Sequence, residues 1–158
     1  MTGGTDLVQV TRLAIRDLPD VLALMRGLAR FEGYLGEFAV TEADLAEELA
    51  KTERSFECHV ARLHGRPVGI AVTYRVDWTF DLHPTLVMKE LFVSPDARGL
   101  GTGKALFESV TEEARRIGAS RVRWLVLADN ARAKAFYRRM GAAPLPQWEQ
   151  WETKVDRT

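Results

Sequence analysis

Residues 98–104 read Arg98-Gly99-Leu100-Gly101-Thr102-Gly103-Lys104. The run stands between a predicted strand, Leu86 to Val93, and a predicted helix from about Gly103 to Ile117. Glycines let such a loop turn tightly with its N–H groups converging, and the helix N-terminus adds partial positive charge. Together they make an anion site suited to a pyrophosphate. Two rival phosphate loops fail on spacing. A P-loop needs Gly, four residues, then Gly-Lys-Ser/Thr; here Ala105 follows Gly103-Lys104, and Arg98 stands five places before Gly103. A dinucleotide fingerprint needs Gly-x-Gly-x-x-Gly after a first strand, and this loop comes late with a glycine out of place.

Working outward, alternation and β-branched residues predict a strand over 6–13. Asp17 is expected to cap the next helix, with Pro19 where a missing N–H is harmless. Leu18, Val21, Leu22, Leu24, Met25, Leu28 and Ala29 recur at helical spacing to about Arg30. Gly33 and Gly36 open a loop over 31–40, and Thr41 with Asp44 resembles a capping box for a helix to about Lys51. Phe56–Leu63 and Val68–Val76 read as a hairpin around His64-Gly65-Arg66-Pro67. After the glycine loop and its helix come a strand over Arg121–Leu127, a helix over Asn130–Met140 and a last strand over Trp148–Val155. The expected fold is α/β: a mixed sheet of about six to seven strands flanked by about four helices, in one domain spanning 1–158.

The composition narrows the function classes. Lys and Arg number 22 and so do Asp and Glu, so a net charge of zero gives no support for nucleic-acid or polybasic membrane binding. Cys58 is alone, which points to a reducing compartment and reads as a small core residue. Residues 1–5 lack the signal-peptide pattern, and no apolar run approaches the ~20 residues of a span. A cytoplasmic protein follows. His59, His64 and His83 lack ligand spacing, so no metal site is expected.

Arg98, Gly101 and Gly103 fit Arg/Gln-x-x-Gly-x-Gly/Ala, which resembles the acetyl-CoA motif of the GNAT superfamily of N-acetyltransferases. About 30 residues on, Asn130, Ala133, Phe136, Tyr137 and Gly141 fit that superfamily's Asn-x-x-Ala-x-x-Phe-Tyr-x-x-x-Gly. Leu28-Ala29-Arg30-Phe31-Glu32, Thr41 to Leu45, Val87 to Val93 and Leu125 to Ala128 are similar to the diamine (spermidine/spermine-type) branch. Lys89 departs from it, standing where that branch usually carries an acid.

The resemblance implies a GNAT-like fold and acetyl transfer from acetyl-CoA to a primary amine, with a homodimer as the assembly. It assigns the cofactor to the backbone of Arg98, Gly99, Leu100, Gly101, Thr102, Gly103 and Lys104, to Leu91, Phe92 and Val93, and to Asn130, Ala133 and Phe136. The N–H of Phe92 or Val93 would polarise the acetyl oxygen. Tyr137 is the implied general acid, since a phenol near pKa 10 holds its proton at neutral pH and can pass it to a thiolate. Asn130 is also explained as a helix cap. The amine arrives protonated, so a carboxylate must take its proton, and Glu90 and Glu32 are the candidates. Glu37, Asp77 and Asp81 are further acids expected on the acceptor side, and Trp78 is a candidate lining residue. The acceptor expected is a small cationic amine, diamine-like or amino-acid-like. Two alternatives stay open: a protein or peptide N-acetyltransferase, and a non-catalytic acyl-CoA sensor.

Overall fold

The computed structural model describes residues 7–157. Asp6 of the expected first strand and residues 1–5, read above as lacking a signal-peptide pattern, lie outside them. The chain divides into two compact units, the first ending at Leu125 and the second beginning at Val126.

The first unit is a five-stranded mixed sheet in the order β1 (Gln9–Arg12), β2 (Glu57–Leu63), β3 (Arg66–Asp77), β4 (Pro84–Val93), β5 (Val122–Arg123). Neighbours are antiparallel except β4 and β5, which run parallel. Helices α1 (Leu18–Glu32) and α2 (Glu42–Leu49) bury Leu18, Val21, Leu24, Met25 and Leu45 with Cys58, Val60, Ile70 and Val72. Odd-numbered residues of β2 and β3 point the other way, as period-2 alternation requires. There α3 (Thr102–Arg116) packs: Leu106 and Thr102 come so close to Gly69 that a Cβ there would meet them at 3.1 and 3.3 Å. Only glycine fits. Each large aliphatic side chain fully buried this way stabilises the fold by about 1.5–3 kcal/mol.

Helix termini follow their sequence signals with one exception. Thr41 and Asp44 form the reciprocal capping box of α2, at 2.8 and 3.2 Å. Asp17 precedes α1 without capping it. Its carboxylate instead accepts from Ala14 N at 2.9 Å and from Arg62 at 2.6 Å. Burial pushes this carboxyl up, but the Arg62 hydrogen bond and charge and the Ala14 N–H hold it below the ordinary value. A buried guanidinium 45 residues away and the preceding Ala14 N–H thus hold the carboxylate in place of the N–H groups of α1.

Two expected strands are corrected. The strand over 121–127 shrinks to Val122–Arg123, because β4 bulges just beyond the paired Leu86 and Val87. No strand forms over 148–155. Trp148, Trp151 and Val155 recur at spacings of three and four, so no extended face gathers them, and they are 68%, 87% and 80% exposed. The second unit contains α4 (Ala131–Arg139) and, among the described residues, no strand. No helix of the described residues is long and apolar enough to cross a membrane.

Candidate active site

The site begins at an irregularity in β4. Val72 of β3 lies opposite Glu90, whereas its neighbour Thr73 lies opposite Met88, so Lys89 is an extra residue in β4. Such a bulge switches which side chains share a face. Met88 and Thr73 point towards α3, where Thr73 Oγ1 donates to Glu113 at 2.9 Å. Glu90 falls on the other face with Val72, looking towards α1 and α2. Regular alternation would have put Glu90 on the Met88 face. The bulge also explains how Lys89 and Glu90 work on one neighbourhood although they are adjacent on a strand.

Glu90 is half-buried, and its Oε2 is fully buried with no hydrogen-bond partner among the described residues. Burial first, then the Glu32 charge, pushes its carboxyl up to about 7, while Lys89 pulls the other way. Glu32, the last residue of α1 and not part of the following loop, is itself raised by burial against the opposing Lys89 charge. Tyr34 and Tyr74 complete the cluster. Both phenols are raised by burial and then by the Glu90 charge. Tyr34 follows the left-handed Gly33 that ends α1, and Tyr74 stands two residues along β3 from Val72, packed on Phe56 at 5.9 Å. Sequence reasoning missed both, because an aromatic on a strand or after a helix reads as core. The buried Cys58 thiol is pushed up to about 12, chiefly by burial and then by Glu90, which suits a packing residue and not a nucleophile.

From Glu90 the strand continues through Leu91, Phe92 and Val93, which pair with β3 on one edge only. On the other edge β5 ends at Arg123, opposite Val87, leaving this stretch of β4 without a strand partner among the described residues. A short turn, Pro95–Ala97, leads into the glycine loop. Gly99 and Gly101 have φ of +77° and +81°, and open space lies where a Cβ would project from each. Gly101 is the N-cap of α3, so the N–H groups of the first turn have no intrahelical acceptor. Thr102 Oγ1 pins the loop to Ala97 O at 3.0 Å, and Arg98 donates Nε to Val93 O at 3.1 Å while stacking over Phe92. Open space and unpaired N–H donors fit a pyrophosphate, so these residues suit acetyl-CoA. Gly103 has no positive φ and sits in the first turn of α3.

In the second unit, Asn130 Oδ1 accepts from Ala133 N at 3.1 Å and caps α4. Phe136 and Tyr137 are half-buried on that helix with ring centroids 5.2 Å apart. Gly141 ends it at φ +86°, and Ala142 N donates back to Tyr137 O at 3.0 Å.

The other acids named from sequence are engaged locally or exposed. Asp77 accepts from Arg75 at 2.9 Å, and Asp81 accepts from His83 N at 3.0 Å. Glu37 is exposed in a short turn. Trp78 stacks with Arg123 and Arg121, at 4.8 and 5.6 Å. A buried polar knot also escaped the sequence: His59 contacts Ser109 Oγ at 2.7 Å and Glu113 at 2.6 Å, with Arg12 beside them. It ties α3 to β1 and β2, and no local pattern announces pairs 50 to 101 residues apart.

The profile of the acetyltransferase (GNAT) family matches residues 22–142. Thialysine N-epsilon-acetyltransferase of Bos taurus is 28% identical over 142 residues, covering 85% of this chain and 84% of that protein. Spermidine/spermine N(1)-acetyltransferase-like protein 1 of Homo sapiens is 25% identical over 155 residues, covering 92% of this chain but 22% of that protein. Among solved structures, an integron cassette protein from the mobile metagenome of V. cholerae superposes with a TM-score of 0.76 at 26% identity, covering 94% of this chain and 93% of that one.

Proposed function

The chain belongs to the acetyltransferase (GNAT) family, and we propose that it acetylates a small primary amine that arrives as an ammonium ion, with Glu90 as the base. It is an acetyltransferase with acetyl-CoA as donor. The buried, unpartnered Glu90 carboxylate near pKa 7 carries the reading of the acceptor. A group so poised is half-ionised at neutral pH and gains most by taking a proton. Relatives named for thialysine and for spermidine/spermine support a small amine as acceptor.

Bound acetyl-CoA supplies the acetyl group as a thioester. The first-turn N–H groups of α3 and the loop glycines hold its pyrophosphate, and the free edge of Leu91 to Val93 aligns its arm. The N–H of Phe92 or Val93 donates to the acetyl oxygen as negative charge grows there. Glu90 accepts the first proton from the ammonium, with Glu32 and the Tyr34 and Tyr74 rings holding the cation. Tyr137 donates its phenol proton to the leaving sulfur. The second proton shed by the nitrogen balances that donation, so one amide, one thiol and one proton result.

Residues 1–158 act as a single catalytic domain, a reading supported by a family match that runs through Leu125 and Val126. The lone cysteine supports a reducing, cytoplasmic setting. Zero net charge and exposed late tryptophans support a homodimer.

The test is free-thiol release over polyamines, amino acids, aminoglycosides and peptides. A small cationic amine should be turned over best, and Tyr137→Phe should lower kcat by about 10²–10⁴ at unchanged acetyl-CoA affinity. Thiol release with peptides alone would overturn the acceptor reading. Activity of the Tyr137→Phe enzyme within a few-fold of wild type would remove Tyr137 as the acid.

A further inference from the structure

The charges around Glu90 are of mixed sign, and the positive member is the bulged residue. Lys89 is exposed between the buried Met88 and the half-buried Glu90, and the strand register leaves it unpaired. It makes no ion pair with any described residue, yet its charge reaches both carboxylates of the site, drawing Glu32 and Glu90 down against their burial. The bulge sets this cation directly beside the carboxylate that would take the acceptor's proton, on the exposed side of the strand.

We propose that Lys89 is a specificity-determining residue that selects acceptors bearing a carboxylate remote from the reacting amine, and disfavours those bearing a second ammonium there. The inference rests on the amine-acetylation reading given above. The bulge is what makes it possible. On a regular strand, Lys89 and Glu90 would project from opposite faces, and a lysine beside the base would be remote from the ligand. Here a zwitterion finds its ammonium between Glu90 and Glu32 and its carboxylate beside an otherwise unpaired Lys89. A diamine finds the same ammonium site, but its second charge meets a like charge. Opposite signs at one position give opposite effects on affinity, so the comparison of matched acceptors isolates Lys89 from the other groups around Glu90.

The experiment measures kcat and KM for 6-aminohexanoate, 6-aminohexanamide and hexane-1,6-diamine, which differ only in the group remote from the reacting amine. Wild type, Lys89→Met and Lys89→Glu are compared. The wild type should favour 6-aminohexanoate over the diamine by about tenfold or more in kcat/KM, the size expected for one charge contact a few ångströms away. Lys89→Met should raise KM for 6-aminohexanoate and lower it for the diamine, Lys89→Glu should invert the preference, and any change in kcat from losing the charge that draws Glu90 down should be common to all three acceptors. Acetyl-CoA affinity by calorimetry should stay unchanged, showing that the exposed substitution leaves the fold intact. If amines are turned over but the ratio of 6-aminohexanoate to hexane-1,6-diamine is the same in all three proteins, or the wild type prefers the diamine, Lys89 is not the selector. If no amine releases thiol from any protein, the amine-acetylation reading fails and this inference falls with it.

Discussion

Glu90 is costly as well as useful, and the cost gives a test that does not depend on knowing the acceptor. Its carboxyl sits near pKa 7 in the folded chain against 4.5 ordinarily. The folded state therefore holds this proton more tightly than the unfolded one, and stability falls as pH rises from about 4.5 through 7. Glu90→Gln removes that penalty, so the variant should melt above wild type at pH 8.5 and level with it at pH 4.5. A shift of this size sets a ceiling on the order of 3 kcal/mol, reduced by the partial exposure of the residue. Equal melting differences at both pH values would show that Glu90 is not a strained carboxylate. The same group sets activity: kcat/KM should fall as pH drops through about 7, and that limb should vanish in Glu90→Gln. Glu90 and Glu32 were legible as candidate acids because a sequence shows which residues ionise. Their setting was not legible. Tyr34, Tyr74 and the His59–Glu113 knot depend on strand register and long-range packing, which leave no trace in local spacing.

Elements with a local physical cause were readable, and those without one were not. Helices α1 to α4 all appear within a few residues of their apolar spacing and caps. The glycine loop is also where the sequence puts it, but its two motif glycines do different work. Gly101 is left-handed at φ +81°, so Gly101→Val adds backbone strain of about 1–2 kcal/mol as well as filling the phosphate space. Gly103 lies in the first turn of α3 without positive φ, so Gly103→Val meets the ligand with little backbone strain. Both should lose acetyl-CoA binding in calorimetry, and Gly101→Val alone should also lower the melting temperature by several degrees. A folded Gly103→Val protein with wild-type affinity would remove the loop from the cofactor site. The bulge at Lys89, the strand over 121–127 that shrinks to Val122–Arg123 and the missing last strand are the element-scale departures from what the sequence predicts. A bulge adds one residue to a strand that still reads as apolar, and the large apolar residues of 148–155 recur at spacings that no strand face gathers.

A net charge of zero conceals a segregated chain, and that bears on the molecule as a whole. Residues 32–57 carry eight acids and two bases, while residues 98–139 carry ten bases and four acids. The acidic stretch includes Glu32 and supports capture of a cation; the basic stretch includes the glycine loop and supports capture of a polyanionic donor. With no net repulsion between copies, nothing electrostatic at long range opposes self-association. The second unit supplies surface for it: Leu145, Trp148, Trp151 and Val155 are all 47% exposed or more. Large apolar side chains so close together in sequence are unusual on a surface that faces only water. Tryptophan is also the residue type that contributes most at interface centres. A homodimer that covers them should give twice 17.8 kDa by light scattering at micromolar concentration. The double variant Trp148→Ser, Trp151→Ser should shift the mass towards 17.8 kDa while leaving the melting of the sheet-containing unit unchanged. A wild-type mass near 17.8 kDa would rule out the dimer, and a dimeric double variant would move the interface away from the tail.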